Sequence, residues 1–393
     1  MKIKLLLALT LLPVAEDMCS AYSPYQGGKN YDGSYVSPRG GLTLTNNSST
    51  VFQQLKAQSL PTQWQVNLRM GNTGSGVSLF NLTTTTDNNS GSFFSSMLVN
   101  PDKSFAVGGA VQTISGVRAS GRVQKGQLMI IRMTEFGLLD IDYQFFYDVN
   151  AALGYAPQLD QALNSIVHDG SGGYYGGGFA TSTGPTGHGI LTHVLSNATL
   201  DTTFGTSGGG GIYMPAGFLY ISSIANQDGN IVYMGLNGGL TVVGRALPTG
   251  VVDPSFTIVA GIAGTTVPSK LVLDSQNRII TISGGDDGLG NACMTVARYN
   301  PDGGLDTMFN GVGYIRILNS NTGNAVALCA DDSIIAVGSD DSANPKYKIV
   351  KITEEGTIDT SFGNLGVTLV DITPGFNQTA RAVTITPLNQ IAV

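Results

Sequence analysis

The sequence predicts an all-β fold, a six-bladed β-propeller built of four-stranded blades. Three observations predict it: a recurring apolar-Asp-x-x-aromatic motif, short alternating segments bounded by turn residues, and no helical periodicity. The motif reads Leu139-Asp140-Ile141-Asp142-Tyr143, Leu200-Asp201-Thr202-Thr203-Phe204 and Val252-Asp253-Pro254-Ser255-Phe256. It continues as Leu305-Asp306-Thr307-Met308-Phe309 and Ile358-Asp359-Thr360-Ser361-Phe362. A first copy, Leu60-Pro61-Thr62-Gln63-Trp64, lacks the aspartate. Repetition at about 50 residues marks a propeller or another β array.

The best-kept copy shows what one blade contains. Residues 324–330 alternate apolar and small side chains, as a half-buried strand does. Asp331-Asp332-Ser333 turns the chain into a second strand at 334–337. A loop at 340–345 leads to a third strand at 347–353, Glu354-Glu355-Gly356 turns again, and a fourth strand follows at 366–370. Other second strands start at Pro101-Asp102-Lys103, Gln227-Asp228-Gly229 and Ser275-Gln276-Asn277. Asp, Asn and Gly tolerate the positive φ that such tight turns demand. Residues 71–95, rich in Gly, Thr, Asn and Ser, read as a surface loop inserted after the first motif copy.

A second regularity lies inside the blade. A basic residue or histidine precedes each motif aspartate by a constant offset: Arg132 and Asp140, His193 and Asp201, Arg245 and Asp253, Arg298 and Asp306, Lys351 and Asp359. The expectation is a staple in each blade. The aspartate caps its corner through backbone N–H groups and pairs with the basic residue on the third strand.

Composition bounds the rest. Charged residues make up 12% of the 393, Gly contributes 53, and the formal net charge is −7. This balance disfavours nucleic acid and anionic membrane as partners, because both require a basic surface. Lys2 and Lys4 precede an apolar run at 5–14, which is too short to span a bilayer. This reads as a signal peptide, 1–21, cleaved after Ala21, and hence as a secreted or cell-surface protein with no transmembrane segment. Residues 22–48 form an N-terminal extension, and 49–393 the propeller. Cys293 and Cys329 read as buried thiols in strands rather than as a disulfide.

After Phe362 the chain holds only part of a blade. Residues 49–57 and 65–70 resemble a third and a fourth strand, so N- and C-terminal segments together would complete the sixth blade and close the ring. A chain cut short at Val393 is the other reading.

These residues resemble the delta-60 β-propeller repeat of bacterial secreted and surface proteins. Val296-Ala297-Arg298-Tyr299-Asn300-Pro301-Asp302-Gly303-Gly304-Leu305-Asp306 carries the resemblance, with Asp201-Thr202-Thr203-Phe204-Gly205 and Asp359-Thr360-Ser361-Phe362-Gly363 matching its second half. Such a family implies a propeller and an exported protein. It implies no catalytic residues.

The chain holds no Walker loop, nucleophile elbow or Cys-x-x-Cys, and its Gly-rich runs precede no helix that could cradle phosphate. One constellation stands out. Asp286 and Asp287 occupy the same loop, after the second strand, as Asp340 and Asp341 one blade later. Propeller loops of this kind share a face, so the four carboxylates could bind sugar hydroxyls or a calcium ion. No other cofactor is expected. The reading is an exported, non-enzymatic propeller that is structural or binds a protein or carbohydrate partner. The alternative is a secreted polysaccharide-active hydrolase or lyase with its site at the channel mouth. No aromatic platform or basic partner beside the carboxylates is evident in the sequence, which favours the binder.

Overall fold

A computed structural model describes residues 91–118, 121–153, 160–181, 187–205 and 211–393. They divide into two compact units, 91–148 and 149–393. The proposed signal peptide, the extension and the terminal strands at 49–57 and 65–70 lie outside the described residues. Among the described residues no helix is long and apolar enough to cross a membrane.

The first unit is one antiparallel sheet of β1 (Gly91–Val99), β2 (Phe105–Arg118), β3 (Gly121–Met133) and β4 (Leu139–Tyr147), paired in chain order. Its first strand takes in the end of the segment expected as a loop at 71–95. Lys103, at φ 68°, closes the turn between β1 and β2, where Asp102 Oδ1 accepts the Ser104 N–H at 2.9 Å.

The second unit opens with a short helix α1 (Val149–Ala152), whose first N–H donates to Gln161 Oε1 at 2.7 Å. Among the described residues, three four-stranded antiparallel sheets, one three-stranded sheet and a two-stranded remnant follow it. They comprise β5 (Gln161–His168), β6 (Tyr174–Thr181), β7 (Gly187–Val194), β8 (Ile212–Tyr213); then β9 (Phe218–Gln227), β10 (Asn230–Asn237), β11 (Leu240–Ala246). Next come β12 (Thr265–Leu273), β13 (Ile279–Asp286), β14 (Ala292–Tyr299), β15 (Tyr314–Leu318). Completing the three with a full set of four, β16 (Ser320–Leu328), β17 (Ile334–Asp340), β18 (Tyr347–Ile352) and β19 (Val367–Val370) form the best-kept copy. The sheet holding β9 to β11 stands between these as a three-stranded member, and β20 (Thr384–Ile385) with β21 (Ile391–Ala392) is the remnant.

Each sheet's first strand packs on the face of the preceding sheet: β9 on β5, β6 and β7, β12 on β9 to β11, β16 on β12 to β14, and β20 on β16. This is the arrangement of propeller blades. The fourth strand expected after Phe256 does not form a ladder. Only residues 257–264 join Phe256 to β12, too few for a corner, a strand and a return, although Val259 and Ile262 still pack on the core.

The core lies between sheets. Ile280, Ile282, Met294, Val296 and Phe309 meet Val326, Ile334, Ala336 and Val350 from the next sheet. Burying one such aliphatic side chain contributes about 1.5–3 kcal/mol. The turns close as their sequences require: Asp228, Asn277 and Asp332 adopt φ of 52°, 60° and 55°. Cys293 and Cys329 are buried free thiols.

The staple is present throughout the second unit. The basic side chain meets Oδ2 of the motif aspartate at 2.9 Å for His193–Asp201, and at 2.7 Å for Arg245–Asp253, Arg298–Asp306 and Lys351–Asp359. The other oxygen caps the corner, accepting the N–H of Thr203, Ser255, Met308 and Ser361. The motif aromatic is part of the device. Arg245 and Arg298 lie over the rings of Phe256 and Phe309 at 4.7 and 4.8 Å, and in the first unit Arg132 lies over Tyr143 at 4.2 Å. Three of the four corners also dock on the next sheet: Gly205, Thr257 and Asn310 donate N–H groups to Thr249, Asp302 and Glu355 carbonyls. Gly303, at φ 91°, shows why the turn that receives them needs glycine, since a Cβ there would lie 2.3 Å from the Thr257 carbonyl oxygen.

Candidate functional site

The end of each sheet opposite the staples is built from the loop after the second strand and the start of the first. Register places them together: Gly285 pairs with Thr265, and Asp340 with Ser320. Both aspartate doublets therefore sit at this end of their sheets.

Most of their carboxylate oxygens are used locally. Asp286 Oδ1 accepts the Gly288 N–H at 2.6 Å. Asp287 accepts the N–H groups of Leu289 and Asn291 and the Asn291 side-chain amide. These hydrogen bonds, the amide of Asn291 first, hold the Asp287 carboxyl below the usual carboxylate range. Asp340 is buried and accepts the Lys346 N–H at 2.6 Å and the Ser342 hydroxyl at 3.0 Å. Asp341 is exposed. Among the described residues no three His, Cys, Asp or Glu side chains gather closely enough to hold a metal ion. The doublets thus do not converge as one four-carboxylate cluster.

A groove of about 440 Å³ brings Asp340 and Asp341 together with two basic side chains, Arg316 and Lys348. It runs between the β12–β15 sheet and the β16–β19 sheet, against their outer strands, with Leu318, Leu365, Val367 and Leu369 forming its apolar wall. Its place is therefore not at the first strands, where a channel-mouth site was expected.

Lys348, on β18, is only 6% exposed. Its Nζ donates to the Leu318 and Asn319 carbonyls at 2.7 and 2.8 Å. Burial pushes its pKa down, while Asp341 and then Asp340 oppose that shift. Arg316, on β15, is fixed in the same way: Nη1 donates to Asp287 O and Nη2 to Ala263 O, each at 2.7 Å. Its guanidinium lies 5.2 Å from the Tyr314 ring centroid. Arg316 thus touches the first doublet through its backbone and shares the groove with the second.

The arrangement can present two cations and two carboxylates to one polar ligand over an apolar wall. Alternation of β15 and β18 could have shown that Arg316 and Lys348 interrupt apolar strands. Their convergence with Asp340 and Asp341 depends on which sheets stack.

No family model matches the chain, and no curated protein matches it. Among solved structures it is similar to an aldose sugar dehydrogenase from Streptomyces coelicolor in its PQQ-bound form. That match has 12% identity, a TM-score of 0.42, and covers 74% of this chain and 84% of that one. A glucose dehydrogenase is similar at 12% identity and a TM-score of 0.43, over 76% of this chain and 91% of that one.

The expectation of a non-enzymatic exported binder is corrected here. The groove holds the basic partners whose apparent absence favoured a binder. Those partners sit on β15 and β18, outside the loops that carry the carboxylates, so only strand pairing and sheet stacking bring them near.

Proposed function

We propose that this protein is a carbohydrate-active enzyme that hydrolyses glycosidic bonds in the groove between the β12–β15 and β16–β19 sheets. The observation that carries this reading is a buried lysine, fixed by two carbonyls, in a groove shared with Asp340, Asp341 and Arg316. Glycoside hydrolysis needs paired carboxylates, one to transfer a proton to the leaving oxygen and one to stabilise the cationic transition state. Exposed Asp341 takes the first role. Buried Asp340, oriented by the Lys346 N–H, takes the second. Lys348 and Arg316 donate to sugar hydroxyls and orient the ring. Two cations and two carboxylates balance in formal charge, which suits an uncharged sugar and hydrolysis rather than elimination from a uronate.

Release of reducing ends from a panel of neutral polysaccharides tests this reading. The wild-type protein should cleave at least one polymer, and Asp341→Asn should reduce that rate at least about 100-fold. Absence of cleavage across the panel, or a fully active Asp341→Asn, would overturn it.

We also infer that the chain is an exported propeller of the delta-60 kind, with six blades completed by residues 49–57 and 65–70. The regular spacing of staples and the two-stranded β20–β21 sheet support this reading. Deleting residues 22–70 should abolish a single cooperative unfolding transition. An unchanged melting temperature would refute the closure.

A further inference from the structure

Polar and apolar residues are not mixed along the groove between the β12–β15 and β16–β19 sheets. Lys348 pairs with Leu369, Val350 with Val367, and Ile352 bridges to Ile358. These three levels are two residues apart on β18, so their side chains share one face. At the rise of a strand they span about 13 Å. Asp340 and Asp341 follow Ser339, which pairs with Tyr347, and so lie at or beyond the level of Lys348. Arg316 reaches the same end through the Asp287 carbonyl. Toward the staple end the lining is Val367, Ile358 and Leu365.

The apolar lining is more exposed than the fold requires. Leu365, Leu369 and Leu318 are 73%, 50% and 49% exposed. A single exposed leucine needs no explanation, but several in one groove mark a binding surface. Leu365 carries a second mark. It adopts φ 51°, a left-handed conformation that Gly and Asn accept readily and leucine accepts only at a cost. Its corner neighbours Gly363 and Gly366, at φ 56° and 90°, are glycines. With most of its side chain in water, Leu365 returns little of that cost to the fold. Backbone strain of this kind collects at ligand sites.

We propose that the groove takes a neutral sugar unit together with an acyl chain that it carries, so that the substrate is an acylated polysaccharide. The sugar sits among Arg316, Asp340, Asp341 and Lys348, where two cations and two carboxylates suit an uncharged polar head. The chain lies along Val367, Ile358 and Leu365, which offer it no hydrogen-bonding side chain. That this ligand is a substrate rests on the hydrolytic reading above; that the groove binds a sugar with an apolar chain does not.

The test measures, by calorimetry, binding of methyl, butyl and hexyl thioglucosides and thiogalactosides to the full-length protein below their micelle concentrations. The thio linkage resists hydrolysis, so binding is read apart from turnover. Affinity should rise roughly threefold for each buried methylene, about 100-fold or more from methyl to hexyl. Leu365→Asn, which suits φ 51°, should keep the melting temperature and the affinity for the methyl compound. It should weaken the hexyl compound about tenfold. Equal affinity of methyl and hexyl compounds, no binding of either hexyl compound, or an unchanged hexyl affinity in Leu365→Asn would overturn the site. A polymer arm tests the source of the chain. Butyrylation of a polysaccharide that the wild type cleaves should lower its KM, and should do so less in Leu365→Asn. A KM that is not lowered in the wild type would overturn the acylated polymer as substrate. Chain-length dependence without cleavage of any polymer would overturn the hydrolytic reading and support the binding site alone.

Discussion

The two ends of the stacked sheets are built on different terms. At the staple end, each of the four larger sheets of the second unit repeats one device: a basic residue, an aspartate that also caps its corner, and an aromatic ring. At the other end little repeats. Loops differ in length, and the groove depends on Arg316 and Lys348, which occur at one junction between sheets. Repetition in a propeller serves the docking of blade on blade, because every junction must meet the same requirement. Chemistry needs one place, so it shows as departure from the repeat.

This contrast can be broken by mutation, and the largest effect should lie at the staples. Arg298 and Asp306 are 5% and 9% exposed in their side chains, and Arg298 also donates to the Glu354 carbonyl of the next sheet. Asp306→Ala leaves a buried guanidinium unpaired and should destabilise the protein by about 3–5 kcal/mol. Chemical denaturation measures this, and a loss under about 1 kcal/mol would mean the staple is only a surface pair.

Next in size is the docking turn. Gly303→Ala imposes a side chain at φ 91° and against the Thr257 carbonyl. The conformation alone should cost about 1–2 kcal/mol, and the contact adds to it. By contrast Gly288→Ala, at φ 84° with open space around it, should show the conformational cost alone. Equal losses at the two sites would remove the docking role.

A smaller effect belongs to the more exposed staple. The Asp359 carboxyl is held down to about 2, first by its bond from Lys351 and then by Ser361. A depressed carboxylate stabilises the fold above its unfolded value, and that contribution is lost as pH falls through the folded one. The stability gap between wild type and Asp359→Asn should be no more than about 1 kcal/mol at neutral pH. It should close as pH falls from the ordinary carboxylate value, 3.8, through about 2. A gap that stays constant over that range would show that the charge contributes nothing.

Smallest of all is the stability effect expected at the functional end. Asp341 is exposed, so Asp341→Asn should stay within about 0.5 kcal/mol of wild type while reducing hydrolysis. A large loss of stability there would make Asp341 a structural residue like Asp306.

Legibility in the sequence follows the same division. The strands of the best-kept copy, its turns at Asp331-Asp332 and Glu354-Glu355-Gly356, and the pairing of Lys351 with Asp359 were readable, because each rests on local spacing. The third partner of the staple was less so. His193 also meets Asp169 at 3.1 Å, and Arg245 donates to Gln227 Oε1 at 2.6 Å. Asp169 directly follows the first strand of its sheet and Gln227 ends the first strand of its own, each two strands before its basic partner. The aspartate doublets were found by position, yet their carboxylates mostly serve their own turns. Lys348 was invisible as a functional residue, since within its strand it reads only as a polar interruption.

The most direct test of the account is the activity of Lys348→Met on a polysaccharide that the wild type cleaves. Methionine keeps the length of the buried stem and removes the ammonium that bonds the Leu318 and Asn319 carbonyls. Melting temperature and kcat are measured on the same preparation. The account predicts a folded protein, with a cooperative transition, whose kcat is lower by about 100-fold or more. A folded Lys348→Met that retains wild-type kcat would contradict it.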